Sequence, residues 1–232
     1  MHLSVAVVGK NRNILSAAEM GKYGLKLSKK PKYVIAIGGD GSLLYSERAF
    51  PSLPKFFINH KCAGCKKHDF SSLLKKLRKG VYKKTEILKL ETTVKRRKLR
   101  GINEIAVHFE PPSALRFEVF INSKSVGKAV GDGVVVSTPL GSNAYFHSIT
   151  RKSFSSGIGI AFNNSIEKIK PKTVSEQSKI EIRITRGIGR VFADNNPNPI
   201  WVSKGDRIVV KKSSPAFLLT EGKRHVFSPK VY

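Results

Sequence analysis

The sequence predicts an α/β domain followed by a β-rich one, and three observations carry that reading. In the first third, apolar runs at residues 3–8 and 33–37 alternate with helix-like spacing at 14–27 and 43–50, as in parallel strands joined by right-handed crossovers. From about Thr85 the apolar period shortens to two, as in antiparallel strands with one buried face. The third observation is the segment Gly38-Gly39-Asp40-Gly41-Ser42, which follows the apolar run 33–37 and precedes a helix-like stretch. The expected architecture is a Rossmann-like parallel-sheet domain over residues 1–85 and an antiparallel β domain over 86–217, with the site between them.

The elements follow in order. Residues 3–8 and 33–37 read as buried strands, 14–27 and 43–50 as helices, and 55–58 as a third short strand. Residues 71–79 read as a helix with a polar start at Asp69 or Ser71 and a stop at Gly80. In the second domain, 117–121 and 180–184 alternate or run short between turn residues. Asn122-Ser123-Lys124 has the composition of a hairpin connection, and residues 197–199 and Lys204-Gly205-Asp206 read as further turns.

Glycines at the end of a strand let backbone N–H groups approach a phosphate chain, and the following helix N-terminus favours negative charge. A carboxylate there is out of place unless it binds a metal or takes a proton, so Asp40 marks a phosphoryl-transfer site; the alternative is a plain glycine turn with a helix-capping Asp. Gly38, Gly39, Gly41 and Ser42 are the candidate phosphate-binding residues, and Asp40 is the candidate base for a hydroxyl acceptor.

Two further segments stand out: Asn103-Glu104, and 131–145, which contains Gly131-Asp132-Gly133 and Thr138-Pro139-Leu140-Gly141-Ser142-Asn143-Ala144-Tyr145. Read alone, Asn103-Glu104 could tie down a turn, and Tyr145 could be an ordinary core tyrosine. The 141–145 stretch reads as a helix start with its free N–H groups turned to a ligand.

In this order the three motifs resemble those of the NAD kinases: GGDG, an NE pair, and a DG…TPTGSTAY segment. The resemblance implies transfer of a phosphoryl group from ATP or polyphosphate to the 2′-hydroxyl of the adenosine ribose of NAD, with magnesium or another divalent metal. It implies that Asn103 binds adenine, Glu104 binds ribose, Ala144 packs near adenine, Tyr145 offers its ring, and Asp132 and Ser148 approach the nicotinamide end. Asn143 takes the place of a family Thr beside the adenine. It also implies a homodimer or homotetramer and a C-terminal tail, 218–232, that returns to the first domain. The chain departs from the family pattern at Ser42, Leu140 and Asn143, each usually Thr, and at Ile149-Thr150-Arg151-Lys152, usually Ala-Gly-Gly-Pro. A lipid kinase sharing the GGDG motif, or a diverged member that binds a dinucleotide without catalysis, is the alternative.

The 232 residues, 40% hydrophobic, suffice for a real core. A formal charge of +27, from 43 basic and 16 acidic residues, predicts attraction to polyanions. The cations are spread along the chain without a recognisable nucleic-acid motif, which reads as a solvated positive surface rather than a nucleic-acid partner. Residues 3–8 are too short for a signal-peptide core or a membrane span, so the expected compartment is the cytoplasm, with no membrane partner. Cys62 and Cys65, flanked by His60 and His68, form one crowded C-x-x-C without the second ligand pair that structural zinc sites use, so no metal-ligating residues are assigned.

Overall fold

A computed structural model describes residues 2–59 and 70–220 of the chain. Cys62, Cys65, His60, His68 and the tail 221–232 lie outside the described residues. The chain divides into two compact units, one from the residues up to Ile87 together with a late strand, the other from Leu88–Ser214.

The first unit holds β1 (Leu3–Val8), α1 (Ala17–Lys22), β2 (Leu25–Leu27), β3 (Tyr33–Gly38), α2 (Asp40–Ala49), β4 (Pro54–Asn59), α3 (Phe70–Lys79), β5 (Lys83–Ile87) and, from far along the chain, β18 (Ala216–Thr220). They form one sheet in the order β2-β1-β3-β4-β18-β5. Every neighbouring pair in it is parallel except β18 with β5, so the expected all-parallel sheet has an antiparallel edge. β3 is buried on both faces from Val34 to Gly38, which is why it reads as a continuous apolar run.

The expected helix over 14–27 is divided. Ser16 caps α1: its side chain accepts the Glu19 N–H at 3.1 Å, and the Glu19 carboxylate accepts the Ser16 N–H at 2.9 Å. The chain then turns at Gly24, with φ of +66°, and Leu25 pairs with Leu3 as a parallel strand. The apolar residue at 25 that fitted a helical period is spent on a sheet edge. α3 stops as Gly80 predicts: Gly80 adopts φ of +70°, and the Val81 N–H reaches back to the Lys76 carbonyl at 2.9 Å.

Helix α2 is tied to β4 by a buried ion pair. The Lys55 ammonium is paired with the Glu47 carboxylate and donates to the Phe50 and Leu53 carbonyls at 3.0 and 2.7 Å, while Glu47 accepts the Ser52 N–H at 3.0 Å. Both side chains are nearly inaccessible, at 1% and 5%.

The second unit is a β-sandwich. One sheet has the order β10-β9-β14-β17-β6-β7, from β6 (Leu90–Val94), β7 (Arg97–Gly101), β9 (Leu115–Ile121), β10 (Lys124–Gly131), β14 (Ile180–Arg186) and β17 (Arg207–Lys212). The other has the order β13-β12-β11-β8-β15-β16, from β8 (Glu104–Phe109), β11 (Gly133–Ser137), β12 (Ile158–Asn163), β13 (Lys172–Val174), β15 (Ile188–Ala193) and β16 (Ile200–Ser203). All described pairings within the two sheets are antiparallel. Alternate residues from both, among them Val119, Ile182 and Val210 against Val107, Val136 and Ile160, make one core. Asn122 and Ser123, with φ of +49° and +68°, form the two-residue turn between β9 and β10.

The buried ion pair yields a stability prediction. Lys55→Ala removes the cation from the buried Glu47 carboxylate and lowers unfolding stability by about 3–5 kcal/mol in chemical denaturation. A double Lys55→Met/Glu47→Gln variant, which removes both charges, recovers most of that loss.

Candidate active site

In the first unit the glycine segment sits where the strand order reverses. The chain leaves β1 toward β2 on one side, and β3 lies on the other, so the carboxyl ends of β1 and β3 flank the switch point at which open α/β sheets bind ligands. Gly38 ends β3 with φ of +142°, and a Cβ there would come within 2.3 Å of the Ser42 Oγ. Gly9, at the end of β1, has φ of +109°, and its Cβ would lie 2.2 Å from the Ile37 carbonyl oxygen. Neither position accepts a side chain. Ser42, buried in the first turn of α2, accepts the Lys10 N–H at 3.3 Å and so joins the two strand ends. Asp40 is the first residue of α2 and is exposed; no side chain caps that helix. The β1 loop carrying Gly9 and Lys10 is a part of this corner that sequence reading missed. Its signal was Gly9 directly after an apolar run.

In the second unit the other two motifs meet on the outer face of the second sheet. Asn103 precedes β8, and Glu104 begins it. The Asp194 carboxylate, one residue past β15, accepts the backbone N–H groups of Ile102 at 2.9 Å, Asn103 at 2.8 Å and Glu104 at 3.1 Å, and the Asp194 N–H donates to the Glu104 carbonyl at 3.0 Å. From the opposite side, the Thr138 hydroxyl donates to the Ile102 carbonyl at 2.5 Å and the Thr138 N–H donates to the Asn103 carbonyl at 2.8 Å. Gly141 packs on Asn103 so closely that a Cβ would lie 2.2 Å from its carbonyl oxygen.

The expected helix start at 141–145 is a 3₁₀ turn, Gly141–Asn143, followed by a short helix, α4 (Tyr145–Thr150). The reason is Ser142. Its hydroxyl donates within reach of the Pro139 and Phe154 carbonyls and accepts the Phe154 N–H at 3.2 Å, so this turn is held by its own segment. α4 packs on β11 and β12 through buried Phe146, which meets Phe154 edge-on at 5.1 Å over Gly159. Asn143 donates to the Ser142 Oγ at 3.3 Å; Ala144 and Ser148 are exposed. Arg151 ends α4 in the left-handed region at φ of +56°, where the family's glycine would sit without strain.

Glu104, Ala106, His108, Tyr145, Phe192 and Asp194 line a cavity of about 310 Å³. Strand alternation puts Glu104, Ala106 and His108 on one face, and Phe192 is paired across from Ala106. The Tyr145 hydroxyl accepts from Asn163 at 3.0 Å, and Asp132 accepts from Asn164 at 2.9 Å. Burial, then the charges of Asp132 and Glu104, raise the Tyr145 phenol above its ordinary value, so it stays protonated at neutral pH. One Glu104 oxygen, Oε2, is buried without a hydrogen-bond partner. Burial, with the Asp194 carboxylate as the second cause, pushes the Glu104 carboxyl up to about 8. Among the described residues, no group of three or more His, Cys, Asp or Glu side chains could hold a metal ion. Of the residues expected at the dinucleotide site, Glu104 and Tyr145 line the cavity and Asp132 lies near enough to raise the Tyr145 phenol, while Asn103, Asn143, Ala144 and Ser148 belong to the same unit without lining it; Gly38, Gly39, Asp40, Gly41 and Ser42 belong to the first unit. Sequence reading misses Ala106, His108, Asn163 and Phe192. Asp194 carries a signal, closing the apolar run 191–193 near a family Asp-Gly, but Asn195 in place of that glycine keeps it from being named.

A family model for the ATP-NAD kinase C-terminal domain matches residues 102–221, just over half of the chain. An NAD kinase of Sulfurisphaera tokodaii is 30% identical over 214 residues, covering 84% of this chain and 86% of its own. Among solved structures, yeast NADH kinase complexed with NADH superposes with a TM-score of 0.78 at 16% identity, covering 94% of this chain and 83% of its own. An NAD kinase from Archaeoglobus fulgidus in complex with ATP gives 0.76 at 23% identity, covering 96% and 95%. These two establish a shared fold. The chain belongs to the NAD kinase family.

Two measurements test this geometry. Asp194→Ala leaves three N–H groups of the 102–104 turn without their acceptor; it lowers stability by at least about 3 kcal/mol and abolishes hydrogen-exchange protection of those amides, whereas Asp194→Asn loses less. For Glu104, the native state keeps its proton up to about pH 8 while the unfolded chain releases it near 4.5, so this group's contribution is present below 4.5 and is lost as pH rises to about 8. Glu104→Gln is therefore more stable than the parent at pH 9, by a few kcal/mol, and the gap closes toward pH 4.5 in denaturation at the two pH values.

Proposed function

We infer that the protein is an NAD kinase, transferring the terminal phosphoryl group of ATP to the 2′-hydroxyl of the adenosine ribose of NAD to give NADP. The single observation that supports this best is the cavity in the second unit, where the Asn103-Glu104 turn and the 137–145 segment, far apart in sequence, are locked together beside Tyr145 and Asp132. A lipid kinase has no use for such a pair.

In this reading Asn103 meets the adenine through its amide, with Asn143 and Ala144 beside the base. Glu104 holds the ribose. A carboxyl that is protonated near neutral pH donates to one sugar oxygen and accepts from another, which a carboxylate cannot do. Tyr145 lays its ring along the dinucleotide, and Asp132 and Ser148 stand toward the nicotinamide end. In the first unit, the backbone around Gly38, Gly39, Gly41 and Ser42 receives phosphate, and the start of α2 favours its charge. Asp40 takes the proton of the 2′-hydroxyl as that oxygen bonds to the γ-phosphorus and the bond to ADP breaks.

A divalent metal supplies charge neutralisation for the phosphates. Magnesium needs only one or two carboxylates beside substrate phosphates and water.

The direct test incubates the protein with NAD, magnesium and either ATP or polyphosphate and measures NADP. ATP supports turnover; NAD binding by calorimetry without NADP from either donor would leave only a dinucleotide-binding protein. Asp40→Asn lowers kcat by about 10² to 10⁴ and leaves NAD affinity near that of the parent, as steady-state kinetics and calorimetry measure together.

A further inference from the structure

The cations are dispersed along the sequence, but strand alternation gathers many of them on one surface. In the sheet β10-β9-β14-β17-β6-β7, residues such as Ile180, Ile182, Ile208 and Val210 turn into the core, so their neighbours turn outward. That outer face carries Lys98 and Arg100 on β7, Arg207 and Lys211 on β17, Arg183 on β14 and Lys128 on β10. Arg183, the least exposed of the five that meet a carboxylate, is 43% exposed and Arg207 is 61% exposed.

Three carboxylates share the face with these six cations: Glu118, opposite Lys128 and Arg183, and Glu91 and Glu181, which lie lower and are only 16% and 17% exposed. Glu91 lies within 3.8 Å of Lys98, Arg100 and Lys211, and Glu181 within 2.7 Å of Arg183 and Arg207. Five outward cations thus meet two sunken anions, and with Lys128 and Glu118 the face holds six of these cations against three carboxylates. The face keeps a positive surplus whose charged ends stand above the carboxylates. Between them are apolar spots: Phe120 beneath the Arg183 guanidinium at 4.0 Å, and Val209, 37% exposed.

We propose that this sheet face binds the phosphate backbone of single-stranded nucleic acid. A sheet face with cations on several strands fits an extended polyanion better than a compact ligand. Three of the six cations are guanidiniums, whose planar forks match phosphate oxygens in pairs. Phe120 and Val209 give unstacked bases an apolar surface, as open sheets do when they take single strands. A second copy of this chain would bring the same positive charge and be repelled.

The probe is a short fluorescein-labelled single-stranded RNA of mixed sequence, followed by anisotropy at low and moderate salt. The variant Lys98→Gln/Arg100→Gln/Arg207→Gln/Lys211→Gln weakens binding by roughly tenfold or more and flattens the slope of log K against log salt by up to about 3. A control, Lys26→Gln/Lys29→Gln/Lys30→Gln/Lys32→Gln, removes the same charge from exposed positions of the first unit and changes affinity far less. Glu118→Gln, which takes a carboxylate from the face and leaves every cation in place, tightens binding and keeps the proposal testable if the fourfold variant does not fold. Unchanged NADP formation verifies that the variants are folded. Equal weakening by face and control variants would overturn the proposal, because the charge would then act diffusely. Displacement of the RNA by polyglutamate at equal charge concentration would overturn it in favour of an acidic protein partner.

Discussion

The second unit's site depends on one carboxylate at the cavity wall, whose oxygens take up the chain's own backbone N–H groups. Asp194 receives three consecutive backbone N–H groups, those of Ile102, Asn103 and Glu104, from a position some ninety residues away in sequence. The turn between β7 and β8 has no pairing partner of its own for these donors, and buried N–H groups are costly to leave unpaired. Asp194 satisfies them with a charged acceptor, and Thr138 secures the carbonyls on the other side. The turn is thereby fixed from both flanks. Because β8 starts at Glu104, its outward residues fall at 104, 106 and 108, and that register defines the cavity floor.

The same carboxylate adds to what burial does to its neighbour. Two acidic groups at one strand end cannot both carry full charge cheaply in a half-dry site. Asp194 has its donors; Glu104 has a buried oxygen without one, and it holds its proton instead. An acid that keeps its charge and one that keeps its proton are thus told apart by where the backbone N–H groups point. The Tyr145 phenol, raised by burial and by Asp132 and Glu104, extends a rim of hydrogen-bond donors that remain neutral around the cavity.

What could be read in the sequence was what is local. The buried strand at 33–37, the glycines that follow it and the hairpin at Asn122-Ser123 each rest on a few adjacent residues, and each is present. The motifs at 103–104 and 131–145 were legible through their resemblance to those of the NAD kinases; read alone, Asn103-Glu104 could tie down a turn and Tyr145 could be a core tyrosine. What was not legible needed a partner from elsewhere. Leu25 fits a helical period as well as a strand, and only its pairing with Leu3 decides. Asp194, His108 and Phe192 join the site through sheet register, which no window along the chain contains. The basic face escaped for the same reason: Arg100, Arg183 and Arg207 are unremarkable singly and become a surface only after four strands, β14, β17, β6 and β7, are laid side by side.

The position of β18 carries a consequence for how the chain is made. It lies between β4 and β5, pairing Phe217 with Pro54 on one side and with Glu86 on the other. A ribosome delivers β1 to β5 first, yet the sheet's fourth and sixth places stay separated by a vacant slot until the whole sandwich has been synthesised. During that interval the edge of β4 offers unpaired N–H and carbonyl groups next to the apolar side chains of Phe56 and Ile58. The first unit is therefore begun first and closed last, and the time for which that edge stays open is set by the elongation of the residues between.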